Sequence, residues 1–558
     1  MKINKFVKFL KNGICLFLVC GLLLGIPLMS SGEELVKAIR RTDQWPPYMD
    51  PAVASDFLSS NAYTNIYDTL IFPNQDGSSK PWLAKSWEIS DDWLTYTFKL
   101  RQGVKFHNGD ELTAEDVVFS LQRIITLGEG WGFLFTDSVK EAKALDKYKV
   151  QITLKQPLGP FLGVLTRLFI LNKNQVMANI KPGGPYGEMG DYGKEWLVTH
   201  DAGSGPYKLK EIKMQEYFVL EKFDDYWAGW DNKDAPQYVK WIGISEAITV
   251  RTLISRGELE LTDQWQTPEN IAEISQLPNI KVSNYFGGQL MFVMLNNKKP
   301  PTDDIHFRKA LAYCVDKQQI IDSAFPGSRP VNGPVTPNIP GYNPNLKPYT
   351  FDLEKAEEEL KQSPYYGKLD QYPVQISPPA EGGPSYENIA LMIQANAAKI
   401  GIKIDVVKIP WGTMVANMAT LQTTSAVVLM TGSDYLEAGS MLKNRYHSSS
   451  CGTTQQGEWL QDPEIDKMID DALATTDQKE RFQKYYAIQE KIVDLCPSIF
   501  LFETAIRQAY RSDYVVFPPA EVASQGGNWY SISGYNSYFR DFKVFPEKAQ
   551  QPYMPYKP

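Results

Sequence analysis

The clearest alternation of apolar and polar residues lies in the segment 87–125. Between Trp93 and Leu100 every second residue is apolar, which is the period of a strand with one buried face. Gln102-Gly103 follows as a turn signal, and Asn108-Gly109 favours a two-residue hairpin turn because both residues tolerate positive φ. The pattern therefore predicts a strand, a turn, a short strand over 104–106 and a second, tight turn.

A helix is predicted directly after this turn. Thr113 and Asp116 have the spacing of a capping box at a helix N-terminus. Apolar residues then recur at helical spacing and share one face. They are Val117, Val118, Leu121, Ile124 and Ile125. The segment is thus a compact α+β unit without catalytic chemistry of its own.

The second half of the chain has a different pattern, which predicts an α/β arrangement. The segments 372–376 and 402–407 are each typical of a strand, and a helical pattern over 385–400 lies between them. Strand, helix and strand in this order form a βαβ unit with parallel pairing. An apolar run over 426–430 predicts another strand, and the pattern over 304–322 predicts one long amphipathic helix.

Two loops leave the carboxyl ends of these predicted strands. The first is Pro378–Pro384 and the second is Thr431–Glu437. Ligands of open α/β sheets bind beyond the carboxyl ends of the strands. We therefore expect a bound solute at these two loops.

The first 32 residues are typical of an export signal. Four lysines precede an apolar run from Ile14 to Met29, and small residues follow it. We expect cleavage after Gly32, with an uncleaved membrane anchor as the alternative. Lipid attachment is not expected, because Cys20 follows Val19 where a lipoprotein signal has a small residue.

Charge and size narrow the class of protein. Removal of the signal takes away four lysines and no acids, which leaves 53 basic and 65 acidic residues and a net charge of −12. This balance argues against nucleic acid and anionic membrane surfaces as partners. The remaining 526 residues are too many for one hydrophobic core and predict two or three domains.

Three cysteines remain after cleavage. Cys314 lies on the apolar face of a helical pattern, so we expect a buried thiol. Cys451 and Cys496 are the better candidates for a disulfide in an oxidising compartment. Such a bridge would contribute about 4 kcal/mol to stability.

As an ordered pattern, the segment 87–125 resembles the signature of the extracellular solute-binding proteins of family 5, which serve dipeptide, oligopeptide and nickel ABC transporters. Gly203–Tyr207 and Tyr226-Trp227 also resemble landmarks of that family. The resemblance implies an α/β fold with two lobes, the type II periplasmic-binding-protein-like fold of the large cluster, which carries an extra α+β subdomain.

The resemblance also implies a division of the chain. Residues 1–32 form the signal peptide, and the extra subdomain covers 73–204. The second lobe covers 289–502. The first lobe is discontinuous and is assembled from 33–72, 205–288 and 503–558.

The implied function is binding without catalysis. The chain would be the periplasmic, monomeric solute-binding component of an ABC importer, without a cofactor. Its two lobes, hinged near 286–290 and 500–504, would close over a peptide or a related amine-bearing solute and deliver it to the permease.

An oligosaccharide-binding member of the same family is one alternative. A secreted hydrolase is another: Gly-x-Ser-x-Gly, His-Glu-x-x-His and phosphate-loop motifs are absent from the sequence, but carboxylate pairs do not exclude a glycosidase.

The second loop contains the sharpest candidate for a ligand contact. Asp434-Tyr435-Leu436-Glu437 resembles an Asp-Tyr-x-Glu stretch of oligopeptide-binding relatives, which implies that Asp434 holds the α-ammonium group of a peptide. Thr431, Gly432 and Ser433 would extend a strand that pairs with the peptide backbone. The alternatives are a helix cap at Ser433 or Asp434 and an ordinary tight turn.

Two tryptophans and their neighbours complete the predicted site. The resemblance implies that Trp411, Trp265 and Gln266 line the pocket, whereas core packing is the alternative for any tryptophan. The loop 378–384 contains Glu381 and lacks the basic group that relatives use for a ligand carboxylate. This difference favours an amine-bearing or cationic solute, or a longer peptide held through its backbone. His447 and Cys451 are too few ligands for a metal site, so no metal is expected.

Overall fold

Three larger sheets and three short strand pairs form the β structure of the described residues, 35–45, 48–244 and 246–551 of this computed structural model. The first sheet has the order Ala38–Asp43, Tyr238–Gly243, Tyr217–Lys222, Tyr207–Lys213. Its first pair is parallel and the others are antiparallel. The second sheet is antiparallel, with the order Ala84–Ile89, Thr95–Leu100, Lys149–Leu154, Val139–Asp146.

The third sheet is mixed and has six strands. Their order is Arg329–Pro330, Ser498–Ile506, Tyr285–Leu295, Ala426–Thr431, Val374–Ser377, Ile404–Val406. The last three strands are parallel to one another, and the others pair antiparallel. The short pairs are Ile71–Pro73 with Ser79–Pro81, Ile280–Val282 with Ala509–Arg511, and Val515–Val516 with Lys543–Val544.

Helices connect and cover the sheets. The α-helices are Phe57–Ile66, Ala114–Leu127, Phe133–Thr136, Phe161–Val164, Lys173–Ala178, Ala247–Ser255, Pro268–Ile274, Ile305–Tyr313, Lys317–Ala324, Leu353–Gln362, Gly383–Ala397, Trp411–Ala419, Ala438–Tyr446, Pro463–Ala474, Gln478–Leu495 and Pro518–Ser524. The 3-10 turns are Leu165–Arg167, Gly187–Met189, Trp196–Val198, Leu369–Gln371, Ala380–Gly382, Ala398–Ile400, Ser448–Ser450, Tyr535–Ser537, Phe539–Asp541 and Pro546–Lys548. Among the described residues, no helix is long and apolar enough to cross a bilayer.

The central strand of the third sheet, Tyr285–Leu295, is buried on both faces. Its side chains enter two separate hydrophobic clusters in alternation. One cluster takes Leu290, Phe292 and Met294, and the other takes Met291, Val293 and Leu295. A strand covered on both faces has no solvent side, which is why residues 290–295 are a continuous apolar run.

The α+β unit predicted for 87–125 is confirmed in its main elements. Strand Thr95–Leu100 alternates between half-buried and buried residues. In the capping box of helix Ala114–Leu127, the Thr113 N–H donates to the Asp116 carboxylate at 2.8 Å. The short strand is reduced to one bridge, Lys105 with Glu111.

The turn that follows differs from the predicted two-residue hairpin. The Gly109 N–H donates to the Phe106 carbonyl, and the Phe106 N–H donates to the Asp110 carbonyl. Only Gly109 of the predicted pair has positive φ, at 95°. A three-residue loop with glycine in the left-handed position fits this pattern.

Two further predictions for the second half were tested by the structure. The parallel βαβ unit is confirmed, since Val374–Ser377 and Ile404–Val406 pair in parallel around helix Gly383–Ala397. The single helix over 304–322 was wrong. The first helix ends at Tyr313, and the Asp316 carboxylate accepts from the Gln319 N–H and caps a second helix, Lys317–Ala324.

The candidate disulfide between Cys451 and Cys496 is not formed. Cys314, Cys451 and Cys496 are all unbonded. The Cys451 thiol donates to the Leu460 carbonyl at 3.3 Å, and Cys496 is buried at the end of a helix. Cys314 is the buried thiol that was predicted, and burial raises its pKa to about 12.

Two sets of predictions concern other parts of the chain. One set lies outside the described residues. It comprises the signal peptide 1–32, the cut after Gly32, the alternative membrane anchor and the question of lipid at Cys20. The division into lobes and subdomain stays a prediction.

Candidate functional site

A cavity of about 480 Å³ lies at the carboxyl ends of the parallel strands of the third sheet. The segments 264–268, 381–386 and 504–507 form most of its wall, together with Trp411 and Met430. The first predicted loop therefore contributes to this wall. The second predicted loop does not contribute to it. Only Leu429 and Met430, in the strand before that loop, reach the cavity.

Trp265 and Gln266 line the cavity on a turn held by a buried acid. The Asp263 carboxylate accepts from the Trp265 N–H and from Gln266 Nε2, each at 2.7 Å. Gln266 Oε1 in turn accepts from Asn270 Nδ2 at 2.6 Å. These bonds fix the turn, so Trp265 and Gln266 present a preformed surface to the cavity.

A second buried acid, Asp43, stands behind the same turn. Burial raises its pKa to about 7, the Arg41 guanidinium opposes this rise, and the charge of Asp263 adds to it. The Arg41–Asp43 contact measures 2.7 Å. Burial also raises the pKa of Asp263. Two acids that resist ionisation thus support this part of the cavity wall.

Glu381 and Trp411 meet in another part of the cavity wall. Both carboxylate oxygens of Glu381 accept from the Trp411 N–H, at 3.1 and 2.9 Å. This N–H is the first of helix Trp411–Ala419, and a carboxylate stabilises the positive end of a helix. Glu381 therefore has a structural partner, while the Trp411 side chain stays 42% exposed.

Thr431, Gly432 and Ser433 do not line the cavity. Thr431 Oγ1 donates to Gln455 Oε1 at 3.0 Å. Ser433 forms a parallel bridge with Ile532. Two of the three residues are thus bonded to other parts of the chain.

Asp434 also lies away from the cavity. Its carboxylate accepts from Asn444 Nδ2 at 2.5 Å and from Ser440 Oγ at 3.5 Å, and Arg167 Nε donates to its backbone carbonyl. Burial raises the pKa of Asp434, and the charge of Arg167 opposes the rise. The residue at the cap of the next helix is Glu437, so neither Ser433 nor Asp434 has the predicted alternative role there.

Glu437 belongs to a buried ion pair. Arg481 Nε and Nη2 each donate to its carboxylate at 2.8 Å, and the Tyr485 hydroxyl donates at 2.7 Å. The glutamate of the Asp-Tyr-x-Glu stretch therefore holds helix Gln478–Leu495 against the loop.

Comparison with known proteins identifies the family. The model of the bacterial extracellular solute-binding proteins, family 5, middle region, matches residues 79–452. The chain belongs to this family. It is a solute-binding protein with the two-lobed α/β fold that its sequence predicts.

The relatives of this solute-binding protein bind different solutes. It is 27% identical to the probable D,D-dipeptide-binding periplasmic protein DdpA of Escherichia coli, over 82% of this chain and 86% of that one. It is also 27% identical to the nickel-binding periplasmic protein of Escherichia coli, over 81% and 87% of the two chains. The solved structure of the periplasmic binding protein DppA of Helicobacter pylori, in complex with the peptide STSA, matches with 26% identity and a TM-score of 0.77, over 91% and 98% of the chains.

Sequence reasoning missed several polar residues of the cavity wall of this solute-binding protein, Arg507 and Gln264 among them. Arg507 and Gln264 both line it. Arg507 directly follows strand Ser498–Ile506, and the end of that strand was predicted only as a hinge. Among the described residues, no three side chains of His, Cys, Asp or Glu converge in a way that could hold a metal ion.

Proposed function

We propose that this chain is the solute-binding component of an ABC importer and captures a peptide, or a related small solute, in the cavity. One observation carries the proposal: a cavity of about 480 Å³ combines two tryptophans with several polar side chains. Aromatic faces offer contact area to varied side chains, and a few polar groups set the orientation of a ligand. Relatives that are named for peptide binding align over most of the chain.

We propose that closure occurs about the two antiparallel strands that pass the cavity, Tyr285–Leu295 and Ser498–Ile506. Their pairing shifts register between Phe286 and Leu290, near the two predicted hinge segments. Hinges absorb changes of φ and ψ in a few residues at the ends of elements. The closed form would then deliver its solute to the permease. We place this step in the periplasm because the relatives named above are periplasmic proteins.

The proposal assigns the site residues as follows. Trp265, Gln266, Trp411 and Glu381 are the contacts that the cavity supports. Asp434 and the segment 431–433 lie away from the cavity. The cavity therefore does not support the ligand contacts predicted for them, and these roles remain predictions. We propose no catalysis and a monomer.

Oligosaccharide binding is the second candidate, because Trp265 and Trp411 both line the cavity and tryptophan faces also suit sugar rings. Mass spectrometry of the solute released from purified, unfolded protein decides between the two candidates. Thermal unfolding with peptide and oligosaccharide pools provides the second readout, since a ligand of the folded state raises the melting temperature. Turnover of either pool would instead favour the hydrolase.

The contribution of Trp411 to binding is measured with the variant Trp411→Ala. We expect its affinity for the recovered solute to fall by roughly tenfold, because the side chain loses about 1–2 kcal/mol of apolar contact. Trp196→Ala is the matched control, since Trp196 stacks on His200 at a ring distance of 4.8 Å outside the cavity wall. Equal affinities of the two variants would contradict the assignment of the cavity as the binding site.

A further inference from the structure

We infer that Arg507 anchors a carboxylate of the bound solute, so that the cavity selects peptides with a free C-terminus. This inference rests on the proposed function and deepens it. It assigns a specificity-determining residue to an element that was expected only to act as a hinge. The carboxylate would enter at the end of the wall formed by 504–507.

Arg507 is placed by the strand that precedes it. Strand Ser498–Ile506 lies between Arg329–Pro330 and Tyr285–Leu295 in the third sheet and ends one residue before the arginine. Thr504, Ala505 and Ile506 line the cavity together with Arg507. Ala505 and Ile506 pair with Phe286 and Tyr285 of the neighbouring strand, so sheet pairing fixes the backbone next to the guanidinium.

The guanidinium of Arg507 has no hydrogen-bond or ion-pair partner among the described residues. It is half-buried. Burial lowers its pKa, and no neighbouring charge opposes this effect. Arginine nevertheless stays protonated in proteins. The cavity wall thus carries a partly desolvated positive charge that nothing in the described chain compensates.

Other buried or partly buried arginines of the chain have hydrogen-bond partners. Arg167 and Arg308 donate to backbone carbonyls, and a further set is paired with acids. These pairs are Arg40 with Glu260, Arg123 with Asp50, Arg329 with Glu503, Arg445 with Glu458 and Arg481 with Glu437. Buried charges are normally compensated in this way. Arg507 departs from the pattern at the wall of the cavity, where a ligand can supply the missing anion.

The other polar groups of the cavity agree with an anionic partner. Glu381 is the one carboxylate among the described residues that line the cavity, and the Trp411 N–H already binds it. The side-chain amide of Gln264 is buried beside the cavity without a partner in the described chain. An amide of this kind can donate to a carboxylate or pair with a peptide bond.

The position of Arg507 alters the expectation drawn from the sequence. An amine-bearing or cationic solute, or a longer peptide held through its backbone, was favoured because the loop 378–384 lacks a basic group. The structure supplies a basic group from another element instead. Its planar guanidinium can bind both oxygens of a carboxylate at once, a geometry that lysine does not reproduce.

The test compares two tetrapeptide libraries on the full-length protein after its co-purified solute has been removed. One library has free C-termini and the other is C-terminally amidated. We expect the wild type to retain the free-acid library with an affinity roughly ten- to a hundredfold higher, the factor by which one hydrogen bond to a charged group changes binding. Retained peptides are quantified by mass spectrometry after desalting and unfolding.

Three variants assign this preference to the residue. Arg507→Met is expected to bind both libraries equally weakly, and Arg507→Lys is expected to recover part of the preference through its charge. Arg256→Met is the control, because Arg256 is exposed and outside the cavity wall. It removes the same charge and is expected to behave as the wild type. The wild-type comparison of the two libraries needs no variant and so tests the inference even if Arg507→Met does not fold.

The outcomes separate the inference from the proposed function. Equal retention of both libraries by the wild type would leave peptide binding intact and overturn the inference, as would an unchanged preference in Arg507→Met. Retention of neither library would overturn the proposed function and the inference with it. Gluconate and glucuronate form a third arm. Stabilisation by these sugar acids without retention of peptides would overturn the assignment to a peptide C-terminus.

Discussion

Asp43 shows how one buried side chain behind the cavity can link stability to pH. Its pKa is raised from an ordinary 3.8 to about 7, first by burial and then by Asp263, against the opposing charge of Arg41. Between these two values the folded protein holds a proton that the unfolded chain has released. The folded state therefore binds more protons, and the free energy of unfolding falls as the pH rises from about 4 to about 7.

The variant Asp43→Asn tests this link because asparagine does not titrate. We expect its free energy of unfolding to fall less steeply than that of the wild type between pH 4 and pH 7, by up to about 1.4 kcal/mol per pH unit. Urea unfolding at several pH values measures the slope. Asp91→Asn, at an exposed position, should keep the wild-type slope. An unchanged slope in Asp43→Asn would show that Asp43 ionises normally in the folded protein.

At the residue scale, the sequence identified some cavity residues and missed the most informative one. Trp265, Gln266, Trp411 and Glu381 all line the cavity, and their role as ligand contacts stays a prediction. Arg507 carries no local signal, because an arginine after an apolar strand is common. Arg507 is informative because it has no acid partner among the described residues. Only the fold decides which side chains are neighbours.

At the scale of elements, a bulge marks the strand pair at the proposed hinge. Gly288 has a left-handed φ of 77°, between the two register positions at Phe286 and Leu290. Its N–H donates to Glu503 Oε1 at 3.0 Å, and Glu503 is fully buried against Arg329. A glycine and a buried ion pair thus hold the local kink of this strand.

Substitution of Gly288 by alanine tests how closely the bulge is packed. A left-handed conformation costs a residue with a Cβ about 1–2 kcal/mol. The added Cβ would also lie 2.8 Å from the Ser531 carbonyl oxygen, and such overpacking costs about 1–3 kcal/mol more. Gly103→Ala is the matched control, since Gly103 has a similar φ of 73° and nothing within 4 Å of the added Cβ. Equal losses in the urea unfolding of both variants would contradict the packing argument.

Helices and strands were predicted well where the signal is local. Strand Thr95–Leu100, the capping box at Thr113 and the βαβ unit each follow from periodicity and caps within about 20 residues. The break at Asp316 was missed because the apolar pattern continues across it. A capping aspartate can also sit within a helix, so its position did not reveal the break.

At the scale of the whole molecule, stability does not depend on a disulfide between the described cysteines. Burial raises the pKa of Cys496 to about 12, and that of Cys451 to about 11. Both thiols are therefore held protonated, and a protonated thiol is a poor nucleophile. This protection offers a physical reason for free thiols to persist in an oxidising compartment.

Reduction should consequently leave the protein unchanged. We expect the same midpoint of thermal unfolding with and without a reducing agent, whereas a bridge between Cys451 and Cys496 would contribute about 4 kcal/mol that reduction removes. Alkylation of the unfolded, unreduced protein provides an independent count of thiols. A midpoint that falls by several degrees on reduction would show that a bridge forms.

The sequence by itself determined the family, the α/β fold and most local elements, because alternation, helical spacing and capping are properties of neighbouring residues. It also indicated the first cavity loop, since strand order and direction follow from a βαβ pattern. The tertiary structure decided the chemistry of the cavity. It places Arg507, which has no acid partner among the described residues, in the same cavity wall as Gln264 and Trp411, and it turns Asp434 toward Asn444. These residues are far apart in the chain, and the physical state of each charge depends on neighbours that only folding brings together.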